Sequence, residues 1–241
     1  MRNPTATLLG WAAALLGAAS ILLLALAALG FRRDWWPVPR ALDLAAWGAW
    51  ASAAGVVLAL VALIVWLLRR PGGGWPPLLG LILSLPVLLA AGAWQYATVT
   101  TPAINDISTD TGNPPVFWFT VTPSDYPARN AEPQRAAYPG VRPLDLPLPF
   151  EAAFSEALAL VEARGWEVLS ADPSENQIEA IARSRLFGFE DEVAIRVTPA
   201  EEGEGSRVDM RSRSRLGQID RGANARRIRA FLDDLEARAA D

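Results

Sequence analysis

The chain has 241 residues, about half of them hydrophobic, and contains no His, no Cys and no Lys. That length allows one or two domains. The missing imidazole and thiol remove the commonest general base, the most reactive nucleophile and the usual ligands of a zinc or iron–sulfur site, and the missing lysine removes Schiff-base chemistry. No metal and no cofactor is expected. Catalysis would have to rest on Asp, Glu, Ser, Thr, Tyr or Arg, which lowers the expectation of an enzyme. Charge is divided along the chain. Residues 1–104 hold six arginines against two acidic residues, whereas residues 105–241 hold 16 arginines against 24. The two parts are suited to different solvents.

Residues 1–98 read as a membrane domain. Residues 8–31 carry no charge for 24 positions, and about 20 apolar residues in a helix cross a bilayer core. Residues 44–68 and 75–98 repeat the pattern, the last with Pro86 as a predicted kink. Trp47, Trp50, Trp66, Trp75, Trp94 and Tyr96 stand near the ends of these runs, where interfacial aromatics belong. The first run is too long for a signal peptide, and Arg32 and Arg33 follow it without a cleavage site, so it reads as a retained helix. Gly10, Ala14, Gly17 and Ala18 suit close helix packing. No span holds a charge, which argues against a transporter. The positive-inside count is almost balanced, with Arg2, Arg69 and Arg70 on one side and Arg32, Arg33 and Arg40 on the other. The N-terminal amine tips it toward a cytoplasmic N-terminus, which puts the rest of the chain outside the cytoplasm.

Residues 99–149 contain ten prolines and read as an extended strap, since such density forbids long helices and central strands. The strap is too aromatic for a solvated linker. Phe117, Trp118, Phe119, Tyr126 and Tyr138 are expected to dock on the domain or on the membrane face, with Trp118 as the buried anchor. At its start, Asn105, Asp106, Ser108, Thr109 and Asp110 form a short polar cluster. It suits Asx-turns and capping better than a calcium loop, whose glycine and distal glutamate it lacks.

Residues 150–241 read as an α+β domain. Phe150, Phe154, Ala157, Leu158 and Val161 share a helix face between Pro149 and Gly165. Four strands follow. "WEVLSA" is the first, and "QIEAIARSRLF" puts Glu179, Arg183 and Arg185 on its outer face. "DEVAIRVT" turns Arg196 outward. "SRVDMRSRSRL" puts Val208, Met210, Ser212 and Ser214 on one face and Asp209, Arg211, Arg213 and Arg215 on the other. The turns are "PSEN", "GF" and "AEEGEG". A last helix presents Ile228, Phe231, Leu232 and Leu235. The expected fold is a two-layer sandwich: a four-stranded antiparallel sheet with two helices on one face, following three transmembrane helices.

"NDISTD", "PPVF", "YP", "GW", "GFEDEVAIRV" and "VDMRSRSRLGQIDRGANARRIRAF" together resemble the family called domain of unknown function 1499 (DUF1499). The resemblance runs from about Thr101 to the C-terminus. It is carried most specifically by Arg211, Ser212, Ser214, Arg215, Gly217, Asp220, Gly222, Asn224, Arg227 and Ile228. The expected place of the chain is a bacterial cytoplasmic membrane; the resemblance lends no support to the membrane part but favours a C-terminal domain that is periplasmic or otherwise extracytoplasmic. It supplies no catalytic residues.

Three functions stay open. The first is a binding module for an anion: a small molecule, a lipid headgroup or the acidic surface of an envelope protein. Arg211, Arg213, Arg215 and Arg227 are its candidate residues, with Asp220 as candidate helix cap and Asn224 beside them. The bland counterpart is an internal ion-pair network, in which Glu179, Asp191, Glu192 and Asp209 pair with neighbouring arginines, or the strap cluster Asn105, Asp106 and Asp110 supplies the counter-charge. The second is a structural subunit of an envelope complex. The third is a hydrolase or lyase with Asp106, Asp110 or Asp220 as base. Nucleic acid is not an expected partner of so acidic a domain.

Overall fold

The computed structural model describes residues 4–69, 75–120, 123–200 and 205–240. Arg2, Arg70, Val121 and residues 201–204 of the predicted third hairpin turn lie outside the described residues. The chain forms two compact units, residues 1–96 with 185–188 and residues 97–184 with 189–241.

The first unit is built on α1 (Pro4–Arg32), α2 (Val38–Arg69) and most of α3 (Trp75–Thr100). All three are long and apolar enough to cross a membrane, and even the shortest extends about 39 Å at 1.5 Å per residue. Pro86 lies inside α3 without ending it. Small residues let the helices touch. A Cβ added to Gly10 would fall 2.6 Å from Pro77 Cδ, and one added to Gly17 2.7 Å from Leu83 Cβ. Ser52 Oγ donates to the Ser84 carbonyl at 2.6 Å.

The second unit is α+β, and its sheet has six strands rather than four. The expected four are β3 (Glu167–Asp172), β4 (Gln177–Arg183), β5 (Glu190–Pro199) and β6 (Ser206–Ser214), joined as an antiparallel meander. The proline-rich segment supplies the other two, β1 (Asp106–Ser108) and β2 (Leu144–Leu146), which pair one after the other along the free edge of β6. Each is three residues long and fits between prolines, too short to stand out by alternation. The segment also holds a helix, α4 (Ala131–Ala137). Prolines exclude long strands and helices there, but not short ones. Two other bounds move. β4 stops at Arg183, so Arg185 lies in the following turn, and β6 stops at Ser214, so Arg215 lies just past the strand.

Helices α5 (Phe150–Ala163) and α6 (Ala223–Ala240) both pack on one face of this sheet. Pro149 sits at the N-cap of α5, and Gly165 at φ +67° turns the chain after it. The core joins Phe154, Ala157 and Val161 of α5 and Ile228, Phe231 and Leu235 of α6 to Ile178, Ala180, Val193, Ile195, Val208 and Met210 of the strands. Ile107 of β1 and Leu146 of β2 extend it. The opposite face of the sheet carries the charged residues, and there the strap lies as a third layer.

Candidate functional site

Strand periodicity places Asp209, Arg211 and Arg213 on the sheet face away from α5 and α6. β1 adds Asp106, directly opposite Arg213 and diagonal to Arg211. β4 and β5 add Gln177, Glu179, Glu192 and Arg196. A bare sheet face this charged would be solvated, yet Glu179, Glu192, Asp209 and Arg211 are all buried. The strap covers them and is tied down by them.

Arg211 is the centre of the arrangement. Its Nε and Nη2 donate to Asp106 Oδ1 and Oδ2 at 2.9 and 2.7 Å, and each side chain is 1% exposed. Its Nη1 donates to the strap carbonyls of Pro115 and Ser124 at 3.0 and 2.7 Å. The fork is thus filled by one bidentate carboxylate and two main-chain acceptors. The Phe117 ring lies beneath it, 4.7 Å from the guanidinium carbon, and Tyr126 flanks it at 5.5 Å. Burial, with the charge of Asp106 next, pushes the Tyr126 hydroxyl up to about 12.

Around this centre the pattern repeats. Arg213 donates to Glu192 Oε2 at 2.9 and 2.6 Å and to the Pro123 carbonyl, and it also stacks on Phe117. Glu192 accepts from Thr120 of the strap and from Arg215 Nε. Arg215 further pairs with Glu190. Arg196 bridges Asp209 and the Asn113 carbonyl. Glu179, expected to pair with arginine, instead accepts the main-chain N–H groups of Trp118 and Phe119 at 2.8 and 3.1 Å, with Gln177 Nε2 at 2.9 Å. Gln177 also donates to the Val116 carbonyl. Gln134 of α4 pairs with both the N–H and the carbonyl of Ser108, extending β1 sideways as a further strand would.

Burial pushes the Glu192 carboxyl up, but the hydrogen bonds from Thr120 and Arg213 and the Arg213 charge outweigh it and hold it below the ordinary glutamate value. Glu190 is held low in the same way, Arg183 and Arg215 overcoming the effect of burial.

On the helix face a second network holds Asn224, Arg227 and Asn105. Ser212 Oγ donates to Asn224 Oδ1, and Asn224 Nδ2 donates to the Asn105 carbonyl and to Ser214 Oγ. Arg227 donates to Ser212 Oγ and pairs with Asp191. Asn105 Nδ2 closes the loop after β6 by donating to the Gly217 carbonyl at 2.6 Å. Asp220 caps the start of α6: its two oxygens accept the N–H groups of Gly222 and Asn224 at 2.8 and 2.9 Å. Burial pushes its carboxyl up. Asp110 accepts the N–H groups of Gly112 and Asn113 and lies 3.5 Å from Arg207.

The predicted residues therefore fall into two groups on opposite faces of the sheet. Asp106, Arg211, Arg213 and Arg215 lie on the strap side, and Asn105, Asn224, Arg227 and Asp220 near the start of α6. Asp110 stands apart at a turn. The three carboxylates considered as bases are each bound by donors of the same unit. Among the described residues no cluster of three or more carboxylates could hold a metal ion.

The strap contradicts one half of an expectation, that Trp118 docks on the sheet; docking on the membrane face is not tested by it. Trp118 is 49% exposed, whereas Phe117 is 4% exposed and takes the anchoring place. With Glu179 holding the backbone N–H groups of 118 and 119, Phe117 faces the arginines while Trp118 and Phe119 are both exposed. Glu179 and Glu192 were legible as outward carboxylates on strands. Phe117, Gln134 and Gln177 gave no signal of their roles, because these depend on which strap atoms arrive above the sheet.

No curated protein matches the chain. The model of a family described as a protein of unknown function, DUF1499, matches residues 106–235. That range runs from the first residue of β1 to the core-facing Leu235 of α6, so it takes in most of the strap, the whole sheet and, apart from Asn105, both networks. The chain belongs to the DUF1499 family, and its DUF1499 domain follows three helices apolar enough to cross a membrane.

Proposed function

We propose that this protein is a membrane-anchored interaction module, standing on the extracytoplasmic side of a bacterial cytoplasmic membrane, whose strap docks an envelope protein. The observation that carries this reading is the exposure of Val116, Trp118 and Phe119 on a fastened backbone. These side chains are 42, 49 and 57% exposed, while the backbone beneath them is fastened by Gln177 and Glu179. Large apolar groups held rigid lose little entropy on binding, and aromatic residues supply most of the energy at protein interfaces. The segment 109–126 carries Asp110 and Asp125 and no basic residue. That charge favours a protein partner over an anionic bilayer surface. The β6 arginines fit this reading as counter-charges that hold the strap in place. The extracytoplasmic side is supported by the N-terminal amine, which tips an otherwise even positive-inside count, and by the family resemblance.

A photo-reactive amino acid at Phe119 of the full chain, irradiated in native membranes, tests the reading. The expected result is one discrete protein adduct, lost when Trp118→Ala is added and not formed from a probe at Glu151 on α5. Adducts to lipid alone, or a protein adduct indifferent to Trp118→Ala, would overturn it.

A further inference from the structure

Two arginines near the start of α6 take no part in either ion-pair network. Arg226 and Arg229 are exposed, and among the described residues neither has a carboxylate partner. They are one helical turn apart and share a side of the helix. Fold stability does not explain them, because the first turns of a helix disfavour positive charge. Arg227, between them, points elsewhere and pairs with Asp191.

Their position is fixed by bonds within the second unit. Arg221, at φ +55°, donates from Nε to Thr98 Oγ1 at 2.8 Å. Arg226 Nη1 donates to the Arg221 carbonyl at 3.0 Å. A Cβ built on Gly222 would lie 3.0 Å from Arg226 Nη1 and 3.8 Å from Thr101 Cγ2, so the loop, the arginine and the end of α3 meet closely. The Arg229 stem runs beside Gly140. Thr98 is in the last turn of α3, the third apolar helix, four residues after Trp94 and two after Tyr96. Trp and Tyr mark the bilayer interface, and four residues of helix advance about 6 Å. Thr98 therefore stands at headgroup depth, and Arg226 is tied to it through Arg221.

From this geometry we infer that Arg226 and Arg229, tied through Arg221 to Thr98 in the last turn of α3, form a contact for the phosphate of an anionic phospholipid. Two exposed guanidinium groups one turn apart, with no carboxylate ion pair among the described residues, match that chemistry. Residues 105–241 are acidic on balance, so the contact would be a local one. The inference rests on the membrane-spanning part of the proposed function and not on a protein partner at Trp118.

The test uses the full chain purified in non-ionic detergent, with phosphatidylglycerol, phosphatidylcholine or inorganic phosphate added at constant ionic strength. The readout is the lipid concentration that half-saturates the rise in melting temperature. Phosphatidylglycerol should act at lower concentration than phosphatidylcholine. Arg226→Ala/Arg229→Ala should raise its midpoint roughly tenfold or more, and Arg226→Lys/Arg229→Lys should keep most of the effect. The melting temperature in phosphatidylcholine should be the same for all three proteins, which separates lost lipid binding from lost folding. An unchanged phosphatidylglycerol midpoint in the double alanine variant would overturn the inference. Equal stabilisation by inorganic phosphate would also overturn it, by showing a small-anion site instead.

Discussion

Phe117 lies under the guanidinium groups of both Arg211 and Arg213, with ring-to-carbon distances of 4.7 and 4.6 Å. A single aromatic ring thereby stops two arginines on one side while carboxylates and strap carbonyls fill their forks. Its neighbour Trp118 points away. Phe117→Ala should cost about 3–5 kcal/mol of stability, whereas Trp118→Ala should stay within about 0.5 kcal/mol. Thermal melts of the two variants in detergent check this. A larger loss at Trp118 than at Phe117 would reverse the assignment of the anchor.

The two N–H groups held by Glu179 predict a local effect. Glu179→Gln replaces a carboxylate with a group that can face only one donor properly, at a cost of about 1.5–3 kcal/mol for hydrogen bonds to charge. The loss should appear first in the strap. Chymotrypsin should cut at residues 117–119 faster in this variant than in the parent, with the rest of the second unit initially intact. Equal cleavage rates would show that Glu179 does not hold the strap.

Acid should loosen the same clamp. Glu192 is held below the ordinary glutamate value of 4.5. Its contribution is therefore present above that value and is lost as pH falls through the lower, folded value. Asp220, raised by burial above the ordinary aspartate value of 3.8, runs the other way: its contribution grows as pH falls through its raised value. The melting-temperature gap between the parent and Glu192→Gln should hold above pH 4.5 and narrow as pH falls below it. A constant gap would mean that Glu192 is not charged in the clamp.

Much of this architecture was legible in the residues. Period-two alternation placed Val208 and Met210 inside and Arg211 and Arg213 outside, and helical spacing placed Ile228, Phe231 and Leu235 in the core. Long apolar runs marked the three membrane helices. The strap was not legible in the same way. Its strands are three residues long, so periodicity has nothing to count, and their pairing with β6 joins residues 60 to 107 positions apart. Which ring of Phe117, Trp118 and Phe119 is buried depends on two hydrogen bonds to Glu179, sixty residues away. The arginine stripe could equally face a ligand or internal acids, because Asp106 could be set beside Arg211 only once β1 was seen to pair with β6.

Orientation across the membrane has its own test. An alkaline phosphatase fused to the C-terminus should be active if the proposed extracytoplasmic orientation holds, toward which the N-terminal amine and the family resemblance both lean. An inactive phosphatase, with fluorescence from a cytoplasmic reporter at the same place, would reverse the orientation and remove envelope proteins as partners.

The central claim is that the β6 arginines are internal counter-charges which fasten the strap, and a double-mutant cycle on Arg211 and Asp106 tests it most directly. Each single change to alanine strands a buried charge and should cost about 3–5 kcal/mol. The double change should cost little more than either alone, giving a coupling of about 2–3 kcal/mol in melts of the full chain. Additive losses with coupling below about 0.5 kcal/mol, or an Arg211→Ala variant as stable as the parent that has only lost stabilisation by added anions, would contradict it.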